Sequence, residues 1–129
     1  MSTSEKNLRD ALKANAAFSI ASGMILLVFA GKLGQLMNIT QVYILQLVGM
    51  SLLLFVAILL YNAFKKKLDI RQVKFIIIQD WAWVIGSMLL LLMDPFDISL
   101  LGNTLIAGVA IVVMLLAIFQ MLALRKTLN

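Results

Sequence analysis

The sequence predicts an all-α integral membrane protein, a four-transmembrane-helix bundle with antiparallel neighbours and both termini cytoplasmic. Three observations lead there. Hydrophobic residues make up 63% of the 129 residues and charged ones only 13%, against about 25% charged in soluble domains. The charges lie almost entirely outside four long apolar stretches. Nearly all the basic ones fall at alternate ends of those stretches, the arrangement that sets membrane orientation.

Spanning the hydrocarbon core takes roughly 20 mostly apolar residues, so the chain reads as one transmembrane domain, residues 1–129. The first uncharged run, Ala14 to Gly31, is the first span. It is read as retained rather than as a cleaved leader, because Glu5 and Asp10 precede it and Ser19, Ser22 and Gly23 break its apolar character. Ser2 and Glu5 have capping-box spacing, so this helix can begin near Ser4 and lie partly in the interface. The run from Lys32 to Lys65 is too long for one span. It divides at Gly34–Gln41, where Asn38 and Thr40 supply turn chemistry and Thr40 is the expected N-cap. The second span is then 42–64, the third 75–93 and the fourth 98–124. Between the last two, Asp94-Pro95-Phe96-Asp97 forms a turn in which Pro95 prevents a continuous helix.

Lys6, Arg9 and Lys13 precede the first span; Lys65, Lys66, Lys67, Arg71 and Lys74 lie between the second and third; Arg125 and Lys126 end the chain. That places ten of the eleven basic residues on one side and Lys32 alone on the other. The bias puts both termini and the Lys-rich loop in the cytoplasm. As a topology determinant the basic cluster needs no further role, and the net charge of +5 is no nucleic-acid signal.

There is no Cys and no His. Thiol nucleophiles, imidazole haem ligands, the common zinc sites and Ser-His catalysis are therefore absent. No cofactor or metal is expected, nor an enzyme. Met24, Met50, Met88 and Met114 place one thioether in each span, which gap filling explains better than a soft-metal path. Ser22-Gly23-Met24 and Gly86-Ser87-Met88 form a faint echo between the two halves.

Polar residues inside the spans gather in one layer. Asn15, Ser19 and Ser22 fall at i, i+4 and i+7 on one helical face. The third span carries Gln79 and Asp80, with Trp83 and Ser87 on the face of Asp80, and the second and fourth carry Tyr61, Asn62 and Gln120. At about 1.5 Å per residue, Asp80 lies about 8 Å inside Phe75. Groups at that depth should turn inward and pair. Two readings follow: a hydrogen-bonded network that sets helix register, or a polar-bottomed cavity walled by Phe18, Trp81, Trp83 and Phe119. Asp80 is the sharpest residue, because a carboxylate at the bilayer centre costs roughly 2.5–3.5 kcal/mol on insertion scales. It suits a proton-coupled carrier. The alternative is a carboxylate that accepts from Asn15 or Asn62, or is reached by Lys13 or Lys74. Ser19 with Gly23, Ala82 with Gly86 and Thr104 with Gly108 have the small-x-x-x-small spacing of close helix packing.

Two motifs stand in order in this chain, N-x-x-F-S-x-x-S-G at Asn15 to Gly23 and D-x-x-W-V-x-G-S at Asp80 to Ser87, followed by Gln120. Together they resemble an uncharacterised family of small four-helix bacterial membrane proteins. The resemblance covers nearly the whole chain and implies a bacterial inner membrane, with no activity attached. The leading expectation is non-enzymatic binding of a lipid-like or hydrophobic ligand, or of a membrane-protein partner, through the polar layer; a homodimer face is the alternative use of the small-residue pairs. The expected site is Asp80, Asn15, Ser19, Ser22, Trp83, Ser87, Asn62 and Gln120. The alternative is a proton-coupled small transporter subunit using Asp80.

Overall fold

A computed structural model describes residues 3–94 and 97–128. These residues form five helices: α1 Thr3–Val28, α2 Ala30–Met37, α3 Val42–Phe64, α4 Ile70–Met93 and α5 Leu100–Leu128. All but α2 are long and apolar enough to cross a bilayer, and only 22–28% of the apolar stretch of each is buried. Large apolar side chains such as Leu54, Leu92 and Leu100 point outward, as expected of helices whose solvent is lipid. The expected all-α bundle is the architecture observed.

α1 packs along α3 and α5, and α5 packs along α4, whereas α3 and α4 barely meet. The packed pairs run antiparallel. Arg9 near the start of α1 reaches the end of α3, while Gly23 further along meets Gly49. That crossing is tight: a Cβ on Gly49 would stand 2.9 Å from the Gly23 carbonyl oxygen, and one on Gly23 3.0 Å from that of Gly49. Only glycine at both positions allows it. Gly86 and Gly108 have open space around them and Ala82 and Thr104 are exposed, so only the first of the three small-residue pairs is used inside the chain. In the echo between the two halves Gly23 stands opposite Ser87 and Gly86 opposite Ser22, and of the two glycines only Gly23 sits at a helix crossing.

The first half of the segment expected as a turn, residues 34–37, is instead the end of the short helix α2. Its Ala30, Gly34 and Met37 fall on one buried face while Lys32 and Gln35 are exposed. Gly34 serves close approach, since a Cβ there would meet the Ile39 carbonyl oxygen at 2.9 Å. The turn itself is compressed into residues 38–41. Asn38 takes a left-handed conformation (φ 62°), and the Ile39 and Asn38 amides close back on the Gly34 and Gln35 carbonyls, a Schellman ending with asparagine in the glycine position. Thr40 is not the N-cap of α3: Gln41 is, without a side-chain bond, and the Thr40 hydroxyl donates to Gln41 Oε1.

α4 begins at Ile70, five residues before the expected start. Asp69 caps it, accepting from the Arg71 and Gln72 amides at 3.0 and 3.4 Å. At the opposite end Ser99 binds Met37 and Leu36 through its amide and hydroxyl, tying α2 to the start of α5. Pro95 and Phe96, and the Ser2 half of the expected capping box, lie outside the described residues.

Candidate functional site

Near mid-depth on the side of the basic loop, three polar side chains from three helices close on one another. Asn15 of α1 donates to Asp80 of α4 at 2.8 Å and to Gln120 of α5 at 3.1 Å. Gln120 donates to the same Asp80 oxygen, Oδ2, at 2.7 Å. Ser19 donates to Asn15 Oδ1 at 3.2 Å. Helical spacing explains the convergence: Asn15 and Ser19 are one turn apart on the inner face of α1, and Asp80 and Gln120 are buried on the facing sides of α4 and α5. Gln120 is wholly buried, Asn15 1% and Asp80 4% exposed, so these bonds replace hydration that none of the three retains.

Among the described residues no cation pairs with Asp80, and the ion pairs are Arg9–Glu5 and Lys65–Asp69. The lysines that could have snorkelled to it go elsewhere: Lys13 Nζ lies 4.8 Å from the centre of the Phe64 ring, and Lys74 borders a surface groove with Arg125. Asn62 is also apart, donating to Ile58 O and to Gln72 Oε1 nearer the basic loop.

Beside the network lies a cavity of about 140 Å³. α1 lines it with Asn15, Phe18, Ser19 and Ser22, and α4 with Gln79, Asp80 and Trp83. α3 contributes Ser51, Leu52 and Phe55, and α5 contributes Val109 and Val113. Ser51 and Gln79 are exposed, so the cavity reaches the outer surface where α3 and α4 stand apart. The Trp83 indole N–H in its wall is buried without an acceptor among the described residues, so a water or ligand in the cavity would find a free donor there.

Of the eight expected site residues, six line this cavity or its floor: Asn15, Ser19, Ser22, Asp80, Trp83 and Gln120, the last through the network. Ser87 is buried one turn beyond Trp83, outside the cavity wall, and Asn62 belongs to the separate contact with Gln72. Two expected wall residues are displaced. Trp81 donates to Met121 Sδ at 3.0 Å on the other side of α4, because residues 81 and 83 lie about 200° apart around a helix. Phe119 is 63% exposed, on the lipid side of Gln120. Met24, Met50 and Met88 also face outward, so the thioethers form no internal path.

From α3 the sequence points to Asn62, whereas the cavity is lined by Ser51, Leu52 and Phe55. Their only signal in the sequence is the i, i+4 pairing of Ser51 with Phe55 on one face. Arg9 was read only as a topology charge. Its guanidinium in fact donates to the carbonyls of Ala63, Lys65 and Lys66 and to Glu5 Oε1, satisfying the open end of α3. No group of three or more metal-ligating side chains occurs among the described residues. Comparison with protein-family models, curated proteins and solved structures finds no match to this chain.

Proposed function

We propose that this is a non-enzymatic, multi-pass protein of a bacterial cytoplasmic membrane, with both termini inside, that binds a small lipid-like or hydrophobic molecule in the cavity between α3 and α4. The observation that carries this reading is the composition of that cavity. Ser22, Ser51, Gln79 and the orphaned Trp83 N–H give it polar groups, Phe18 and Phe55 give it apolar walls, and ligand sites combine such features. The ten-to-one distribution of basic residues supports the orientation. The bacterial cytoplasmic membrane is part of the proposal and follows from the resemblance of the Asn15–Gly23 and Asp80–Ser87 motifs alone.

Native mass spectrometry of protein released gently from its own membrane tests the binding. A reproducible adduct is expected on the parent chain, and its loss in Ser51→Phe, which fills the cavity from α3. A bare protein in both samples, or an adduct that survives the substitution, overturns the reading.

A second reading, a proton-coupled transporter subunit, draws on Asp80 being a carboxyl group in the cavity wall. It expects substrate-driven proton movement in proteoliposomes that Asp80→Asn abolishes.

A further inference from the structure

We infer that the occupant of this cavity is an organic cation carrying an apolar tail and an acceptor oxygen, its head held against Asp80 and its tail leaving between α3 and α4. The inference rests on the ligand-binding reading above and specifies its chemistry.

Charge is the first argument. Asp80 is 4% exposed, lines the cavity and takes part in no ion pair. Both donors that reach it, Asn15 and Gln120, bind the same oxygen, Oδ2. Among the described residues no hydrogen bond engages Oδ1. Ionisable residues within a span ordinarily pair or line a pathway, and here pairing within the chain leaves half of the carboxylate unused. A cationic head supplies the missing partner.

The walls are the second argument. Phe18, Phe55 and Trp83 come from three helices and bring three aromatic rings to the cavity that holds the carboxylate. Aromatic faces attract cations, tryptophan most strongly, and the attraction grows where water is excluded. The Trp83 N–H cannot be satisfied by a cation, since it is a donor. An ester or hydroxyl oxygen next to the charged centre would accept it.

Size and access are the third. A volume of about 140 Å³ admits a head and not a long chain. The separation of α3 from α4, with Ser51 and Gln79 exposed at its edges, gives the tail a lateral exit into lipid.

The test uses the full chain in nanodiscs of zwitterionic lipid and two probes of one shape, dodecanoylcholine and its uncharged isostere, 3,3-dimethylbutyl dodecanoate. Saturable change in tryptophan emission is the readout, in a Trp81→Phe background that leaves Trp83 as the reporter. The choline ester should saturate at one per chain and bind about tenfold more tightly than the isostere. Asp80→Asn should erase that difference, weakening choline-ester binding to the level of the isostere. Equal binding of both probes overturns the cationic assignment and leaves the cavity a hydrophobic-ligand site. Binding of neither overturns both readings. A preference that persists in Asp80→Asn also refutes the assignment, and if that variant does not fold, the comparison of the two probes on the parent chain decides.

Discussion

Truncation of Gln120 separates the energy of the polar network from that of packing. The side chain is wholly buried, donates to Asp80 at 2.7 Å and accepts from Asn15 at 3.1 Å. Hydrogen bonds between membrane helices average about 0.6 kcal/mol each and reach about 1.7, so losing both costs about 1–3 kcal/mol. Gln120→Ala also leaves a void, which in buried positions adds further loss. A total near 3–4 kcal/mol follows from these two terms. Gln120→Leu restores most of the volume and should retain only the hydrogen-bond part, about 1–3 kcal/mol. Phe119→Ala, one residue away but 63% exposed, should change stability by no more than about 0.5 kcal/mol. Equilibrium unfolding in mixed micelles of dodecylmaltoside and dodecyl sulfate, followed by far-UV circular dichroism, measures all three. If Gln120→Leu proves as stable as the parent, the network carries no stability and the reasoning from buried, paired polar groups fails for this bundle.

Other outcomes follow from the same contacts. Gly49→Val should force α1 from α3 and cost about 1–3 kcal/mol, while Gly86→Ala, with open space around it, should be neutral or stabilising by up to about 1 kcal/mol; thermal unfolding in detergent compares them. Arg9→Ala should free the carbonyls of Ala63, Lys65 and Lys66, costing about 1–3 kcal/mol and speeding tryptic cleavage at Lys65 to Lys67 in inverted vesicles. Because the chain has no cysteine, single cysteines at Lys66 and Gln35 report topology cleanly. Lys66→Cys should react with an impermeant maleimide only in inverted vesicles and Gln35→Cys only in intact cells, and the reverse pattern would refute the orientation.

The spans were legible because apolar length and charge placement are one-dimensional properties of a chain. So was most of the polar floor, since Asn15, Ser19, Asp80 and Gln120 share a depth and inward faces whichever way the helices pack. Boundaries set by local hydrogen bonds were read less well. Asp69 followed three residues later by Gln72 is a helix-start spacing, yet the apolar count deferred the helix to Phe75. At Gly34 the glycine signalled a turn, while its use is close approach to Ile39. The α3 wall was hidden for a different reason. A serine in a spanning helix commonly binds its own i−4 carbonyl, as Ser51 does to Leu47 at 2.8 Å, and a phenylalanine among leucines looks lipid-facing. What makes Ser51 and Phe55 cavity residues is the separation of α3 from α4, consecutive helices joined by a short loop and therefore expected to pack. Nothing in the local sequence records that gap.

The register network and the ligand cavity looked like competing accounts of the polar layer, and the geometry makes them two sides of one residue. α1 and α4 lie diagonally across the bundle without packing together, so the bond from Asn15 to Asp80 joins them where backbone contact does not. Through Gln120 the network also engages α5, adding to the α1–α5 packing that already joins the α1–α3 pair to the α4–α5 pair. The fastening ties α4, on one side of the open α3–α4 edge, directly to α1. It uses one carboxylate oxygen, and the carboxyl group still lines the cavity. The open edge that would weaken a purely structural bundle is thus the edge through which a ligand could enter, and Asp80 is placed to serve both. Asn at this position keeps one acceptor oxygen for the fastening, removes the charge and puts an NH2 donor in place of the other oxygen, so Asp80→Asn should disturb recognition of a cation more than it disturbs the fold.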